Sequence, residues 1–101
     1  MNRSEAQNIM TSDQYFDKGL SYFNNGNYAS AIQEFSCVIE LNPKGPGAYA
    51  LRGTSYFRLG KYNEARSDFE TVLRLPLSDN RFIDGARKTL AEIKEAERRQ
   101  G

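Results

Sequence analysis

Apolar and small residues recur along the chain at steps of three and four, and short polar turns interrupt them. Two such runs open the chain, with one turn between them: Tyr15, Gly19 and Tyr22, then Ala31, Phe35 and Val38. Residues at this spacing share one face of an α-helix. The pattern therefore predicts a pair of amphipathic helices joined by a short connection.

The same pattern returns 34 residues later. At this offset SYFNNGNYASA, residues 21–31, aligns with SYFRLGKYNEA, residues 55–65. The offset also aligns Tyr15 with Tyr49 and Phe35 with Phe69. Self-similarity at one fixed period is the sequence signature of a repeat architecture. The chain thus contains two copies of one helix pair.

The turn residues and prolines predict where the helices begin and end. Gly26 and Gly60 each follow a first helix, where positive φ is often required. Asn27 can cap the second helix of its pair, whereas its counterpart Lys61 cannot. The predicted helices are 12–24, 28–41, 47–59, 62–75 and 80–98.

The start of the first helix is less sharply defined by the pattern. Thr11 and Ser12 are suitable N-caps, which would leave residues 1–11 as a tail. Ser4 followed by Gln7 also resembles a capping box, so the helix could extend towards the N-terminus. We keep both alternatives for residues 1–11.

These features resemble the tetratricopeptide repeat (TPR), a 34-residue pair of antiparallel helices. The family pattern of aromatic, small and aromatic residues matches Tyr15, Gly19, Tyr22 and Tyr49, Gly53, Tyr56. The resemblance implies an all-α solenoid of five helices in a right-handed superhelical array. Its units are a first repeat at 12–45, a second at 46–79 and a terminal helix at 80–101.

The last segment departs from the repeat because no partner helix follows it. Its apolar residues form a stripe on one side: Phe82, Ile83, Ala86, Leu90 and Ile93. A helix of this kind covers the open apolar face at the end of a repeat array. On its outer side, Asp84 with Lys88 and Glu95 with Arg99 have the spacing of i,i+4 ion pairs.

Composition and charge exclude several classes of function. The 101 residues carry 14 basic and 13 acidic side chains, a net charge of +1, and this balance does not favour binding to nucleic acid. No apolar run approaches a membrane span, and the N-terminus lacks the apolar core of a signal peptide. We therefore expect a cytoplasmic protein that binds neither nucleic acid nor membrane.

The chain also lacks the residues of common catalytic sites. It has no histidine, and its single cysteine, Cys37, has no imidazole partner. The glycines do not have phosphate-loop spacing. We interpret the neighbouring carboxylates Asp68 and Glu70 as solvated surface. The expectation is a protein that is not an enzyme and holds no cofactor or metal.

A binding surface is expected on the first helix of each pair, which lines the concave side of such arrays. Its candidate residues lie next to the core stripe: Phe16, Leu20, Phe23, Ala50, Thr54, Phe57, Arg81, Asp84 and Lys88. Phe23 and Phe57 have an alternative role, since they could rest on neighbouring helices. Phe16 and Leu20 are harder to explain as packing, unless the N-terminal tail covers them.

The best-known peptide site of the family is a clamp for the C-terminal carboxylate of heat-shock chaperones. It uses Lys, Asn and Arg side chains, and the matching places here are Phe16, Leu20, Leu51, Arg81 and Gly85. Only Arg81 is of the right kind, so we do not expect that clamp.

Two hypotheses of function follow from the sequence. The first is a non-catalytic protein-interaction module, a scaffold or adaptor whose groove binds an apolar segment of a partner protein or peptide. The alternative is self-assembly into a homodimer or larger homo-oligomer, because two repeats are fewer than a stable array usually contains. In that case another copy fills the groove or covers the first helix.

Overall fold

The computed structural model describes residues 10–101, in which all regular structure is helical. The helices are α1 (Ser12–Asn24), α2 (Tyr28–Leu41), α3 (Pro46–Arg58), α4 (Tyr62–Arg74) and α5 (Asn80–Gln100). Every predicted boundary lies within two residues of the observed one. None of these helices is both long and apolar enough to cross a membrane.

The helix ends use the predicted turn chemistry. Gly26 and Gly60 have φ of 77° and 75°, the left-handed conformation that glycine adopts at low cost. Thr11 caps α1 in a capping box with Gln14, whose backbone N–H donates to the Thr11 hydroxyl at 3.1 Å. The earlier start suggested by Ser4 and Gln7 falls on residues that lie outside the described part.

The two repeats differ at the start of their second helices, as the sequence predicted. The Asn27 side chain accepts a hydrogen bond from the backbone N–H of Ser30, at 3.4 Å. Lys61 occupies the same position before α4 and makes no side-chain cap. The fifth helix has a cap of its own, because Asp79 accepts hydrogen bonds from the backbone of Arg81 and Phe82.

Each helix packs against the next one, and α3 also contacts α5. The described chain is elongated, 52 × 28 × 22 Å, as expected when helix pairs stack in a row. Its buried residues form two clusters rather than one. The first cluster is Ala31, Phe35, Val38 and Ala48, and the second is Ala65, Phe69, Val72, Ala86 and Ile93.

Close helix approach explains the small residue in the middle of the first helix of each pair. A Cβ built at Gly19 would lie 2.6 Å from Cε1 of Phe35, and one built at Gly53 would lie 3.0 Å from the Phe69 ring. Glycine therefore lets each aromatic ring of the second helix pack directly on the backbone of the first.

A buried ion pair joins the second repeat internally and also reaches back to the first. Arg52 Nε and Nη2 donate to the Asp68 carboxylate at 2.9 and 2.7 Å, and its Nη1 donates to the Ser36 hydroxyl of α2 at 3.0 Å. The Asp68 side chain is only 4 % exposed. Our interpretation of Asp68 as solvated surface is therefore wrong, although Glu70 is exposed.

The terminal helix keeps the 34-residue register of the earlier helices, although Pro76 comes one residue earlier than Pro43 does. Phe82, Ala86 and Thr89 lie 34 residues after Ala48, Arg52 and Ser55, the positions of α3 that face the first repeat. Ala86 is accordingly buried in the second cluster. Arg87 has the position of Gly53 but is exposed, because no helix among residues 10–101 covers it as Phe69 of α4 covers Gly53.

On the outer side of α5, only one of the two predicted ion pairs forms. Arg99 Nε lies 3.4 Å from Glu95, at the expected i,i+4 spacing. Asp84 and Lys88 are not paired with each other among the ion pairs of residues 10–101, so that prediction is wrong. A third pair, between Arg66 of α4 and Glu97 of α5, links the terminal helix to the second repeat.

Candidate functional site

The candidate residues of α1 are half-buried and contact the first cluster. Phe16, Leu20 and Phe23 all pack against it. The Phe16 ring lies 5.7 Å from that of Phe35 at an angle of 58°. The expectation that packing does not explain Phe16 and Leu20 is therefore wrong. Each of them supports the fold on one side and keeps some exposed area on the other.

The repeated aromatics at the ends of α1 and α3 rest on the helix that follows. Phe23 meets Tyr28 edge to face at 5.5 Å, and Phe57 meets Tyr62 at 5.7 Å with a 45° tilt. Both phenylalanines remain half-buried rather than buried. Packing against a neighbouring helix, the alternative weighed for this pair, is thus part of their role.

A first hollow of about 240 Å³ opens where α1 begins, α2 ends and α3 begins. The lining residues are Ser12, Asp13, Phe16, Val38, Asn42, Gly45, Gly47 and Ala48. A Cβ built at Gly47 would lie 3.8 Å from the Phe16 ring, an ordinary contact distance.

A second hollow of about 260 Å³ lies between α3 and α5. Its lining residues are Thr54, Phe57, Arg58, Thr89 and Glu92. Two of the candidates, Thr54 and Phe57, are therefore brought together. Ala50 is half-buried and packs against the second cluster, and its carbonyl accepts a hydrogen bond from the Thr54 hydroxyl at 2.9 Å.

The three candidates on α5 do not line the second hollow. Arg81, Asp84 and Lys88 are all exposed. Thr89 and Glu92, which were not among the predicted residues, line it from α5. Thr89 lies 34 residues after Ser55, on the face that packs on the preceding repeat, and this spacing was the signal in the sequence.

A third hollow of about 270 Å³ lies away from the candidates, between the start of α4 and the end of α5. It is lined by Gly60, Lys61, Tyr62, Asn63, Glu64, Glu97 and Gln100. It contains none of the predicted binding residues. We therefore base the candidate site on the first two hollows and the α1 and α3 surface between them, which we call the groove.

The places that match the carboxylate clamp are mostly apolar in the structure. Leu51 packs against the first cluster, and Phe16 and Leu20 do the same. Arg81, the one basic residue at a matching place, is exposed and pairs with Asp79 at 3.1 Å.

Candidate metal ligands and the single thiol are the groups that bear most directly on catalysis. Among residues 10–101, no group of three His, Cys, Asp or Glu side chains is placed to hold a metal ion. Burial raises the pKa of the Cys37 thiol above its ordinary value, and the nearby Glu34 and Glu40 add to that effect. A raised pKa leaves less thiolate at neutral pH and makes Cys37 a poor nucleophile.

Comparison with solved structures confirms the class of protein that the repeat and fold define. The first TPR domain of Spaghetti (RPAP3), bound to the HSP90 peptide SRMEEVD, superposes with a TM-score of 0.75 at 28 % identity over 85 % of this chain. The second TPR domain of human RPAP3, in complex with the HSP70 peptide SGPTIEEVD, gives 0.72 at 32 % identity over 83 % of this chain. The protein is a tetratricopeptide-repeat protein with about two repeats.

Within this class, the chain belongs to a particular family. The sequence model of the family described as anaphase-promoting complex, cyclosome, subunit 3 matches residues 4–72. This range includes the first helix pair and the second pair as far as residue 72 on α4. The chain spans 65 % of the first RPAP3 domain and 67 % of the second. No curated protein sequence matches the chain.

Proposed function

We propose that this protein is a non-catalytic interaction module that binds an apolar segment of a partner in the groove along α1 and α3. One observation carries the proposal: a hollow lies at each end of α3, and each one exposes part of an aromatic ring, Phe16 in the first and Phe57 in the second. Concave sites with apolar walls and a few polar groups are the usual form of a ligand site.

The aromatic rings suit weak, reversible binding. Phe16 and Phe57 are already half-buried by the fold, so a partner covers only their remaining area. At about 25 cal/mol per Å² of apolar area, this contributes a few kcal/mol before association costs are met. We therefore expect dissociation constants in the range of about 1–100 µM.

The RPAP3 domains support a peptide-binding role without defining the ligand. Their bound peptides end in EEVD and so carry several carboxylates. In the present chain, the places that would hold a terminal carboxylate are apolar at Phe16, Leu20 and Leu51. The proposed partner segment is therefore apolar rather than acidic.

The test uses a variant that blocks the groove without removing core atoms. Thr54 is half-buried at the second hollow, and its hydroxyl bonds only within its own helix. Thr54→Arg places a long charged side chain in that hollow. Affinity capture followed by quantitative mass spectrometry should show that partners bound by the wild-type protein are lost from this variant.

A matched control separates this effect from a general effect of added charge. Ser67 is exposed on α4 and lines neither hollow of the groove, so Ser67→Arg should retain the partners. Circular dichroism should show that both variants remain folded. Equal capture by folded Thr54→Arg and wild-type protein would contradict binding in the groove.

A further inference from the structure

The groove carries negative charge at its α1 end. Asp13 lines the first hollow beside Phe16 and is exposed. Asp17 follows one turn later on the same helix and is also exposed. Among residues 10–101, neither carboxylate forms an ion pair, and the nearby Lys44 does not line the hollow. A carboxylate next to an apolar wall is a receptor for an amphipathic cation.

The opposite end of the groove is balanced in charge. The second hollow contains Arg58 and Glu92, one charge of each sign. The difference between the two ends gives a bound segment a preferred direction. A cationic side chain gains most at the first hollow, where the local charge is negative, and gains little at the second.

From these charges, we infer that the partner segment carries a Lys or Arg side chain that lies against Asp13, with an adjacent apolar side chain against Phe16. This inference rests on the proposed function, since it specifies the ligand of the same groove. The site would thus prefer a basic segment, whereas the peptides bound to the RPAP3 domains are acidic.

The geometry also limits the length of the segment. Gly47 and Phe57 lie ten residues apart on α3, and a helix rises 1.5 Å per residue, so the two hollows are about 15 Å apart along that axis. An extended chain covers about 3.3 Å per residue. A segment of roughly five to seven residues therefore connects the cation at the first hollow to an apolar residue at the second.

The experiment selects ligands from a displayed library of random ten-residue peptides. The baits are the wild-type protein, Asp13→Lys/Asp17→Lys and the control Glu40→Lys/Glu70→Lys, which makes the same charge change at two exposed carboxylates that line neither hollow of the groove. Circular dichroism confirms that all three are folded. We expect wild-type protein and control to enrich peptides with Lys or Arg next to an apolar residue.

The groove variant should lose this enrichment of basic residues while still enriching apolar ones. A synthetic peptide chosen on wild-type protein should bind the groove variant at least about threefold more weakly, and its affinity should fall with added salt. If apolar peptides are enriched with no basic preference, the charge inference is overturned and the groove remains. If no peptides are enriched at all, the proposed function itself fails.

Discussion

At the residue scale, the Arg52 guanidinium is the most connected polar group described above. It bonds to Asp68 of α4 and Ser36 of α2, and it lies 5.9 and 5.8 Å from the rings of Tyr49 and Tyr56. The hydrogen bonds with Asp68 raise the pKa of Arg52, although burial opposes the shift, so the side chain stays charged. One residue thereby ties three helices together.

Truncation of Arg52 should be costly because it leaves a buried carboxylate without its partner. We expect Arg52→Ala to lower the free energy of unfolding by about 3 kcal/mol, measured by urea denaturation. The repeat supplies a control, since Lys18 occupies the same position in α1 and is exposed. Lys18→Ala should change stability by less than about 0.5 kcal/mol. Similar values for the two variants would contradict this role of Arg52.

The same substitution, glycine to alanine, should change the stability in opposite directions at two positions. Gly19→Ala should destabilise the protein by about 1–3 kcal/mol, because the new methyl group would lie 2.6 Å from the Phe35 ring. Gly85 is exposed within α5, with no atom within 4 Å of its would-be Cβ. Gly85→Ala should therefore stabilise the protein by up to about 1 kcal/mol. Thermal melts of both variants test the opposite signs.

At the element scale, α5 depends on its cap for a sharp beginning. Asp79 accepts hydrogen bonds from the backbone N–H groups of Arg81 and Phe82 at 3.0 and 3.3 Å. Its ion pair with the Arg81 side chain, followed by the Phe82 hydrogen bond, lowers the pKa of Asp79 below its usual 3.8. The charged form is therefore the one that stabilises the helix.

This pKa predicts the direction of a pH effect. A carboxyl whose pKa is lowered on folding stabilises the protein above its unfolded pKa, and this contribution is lost as the pH falls through the folded value. We expect the difference in stability between wild-type protein and Asp79→Asn to shrink below about pH 4. Asn also caps helices well, so Asp79→Asn should preserve α5 at neutral pH.

Urea denaturation of the two proteins between pH 7 and pH 2.5 measures this difference directly. Taking the difference removes the effect of the other carboxyl groups, which titrate in both proteins. A difference that is constant with pH would show that the charge of Asp79 has no part in stabilising α5.

The helices themselves were predictable because each signal is local. Gly26, Gly60 and Pro43 mark the helix ends, and the aromatic and small residues mark the core face. The buried Arg52–Asp68 pair was not predictable in this way. Its partners are sixteen residues apart on different helices, and a charged residue in an amphipathic sequence ordinarily indicates solvent.

Some groove residues could be predicted from the local sequence, and others are identified only by how the helices pack. Phe16 and Phe57 were found from their position beside the core stripe. Thr89 and Glu92 were missed because the prediction used only the stripe beside the core stripe, whereas Thr89 has the position of Ser55, on the face turned to the preceding repeat. Which residues meet across two helices depends on how the helices pack.

At the scale of the whole molecule, the structure weakens the case for self-assembly through α1. The face of α3 that packs on the first repeat contains the buried residues Ala48 and Ser55. The same positions of α1 are Gln14 and Ser21, both exposed and polar. Such a face does not need a second copy to cover apolar area.

We therefore expect a monomer in solution. Sedimentation equilibrium from about 10 µM to about 500 µM should give a constant mass near the 11.5 kDa of the chain. Added reducing agent is needed in the control sample, because the single Cys37 could join two copies by a disulfide. A reduced dimer that forms with rising concentration would instead favour the self-assembly hypothesis.

The charged outer face of α5 has a consequence for how such an array could lengthen during evolution. The apolar stripe of α5 packs on α3 and α4, and its other face presents the exposed residues Asp84, Arg87 and Lys88. A helix pair duplicated onto that face would find no apolar surface to bury. A pair inserted between the two existing repeats would keep the apolar contacts on both sides. The charges of the last helix thus favour growth from within over growth at the end.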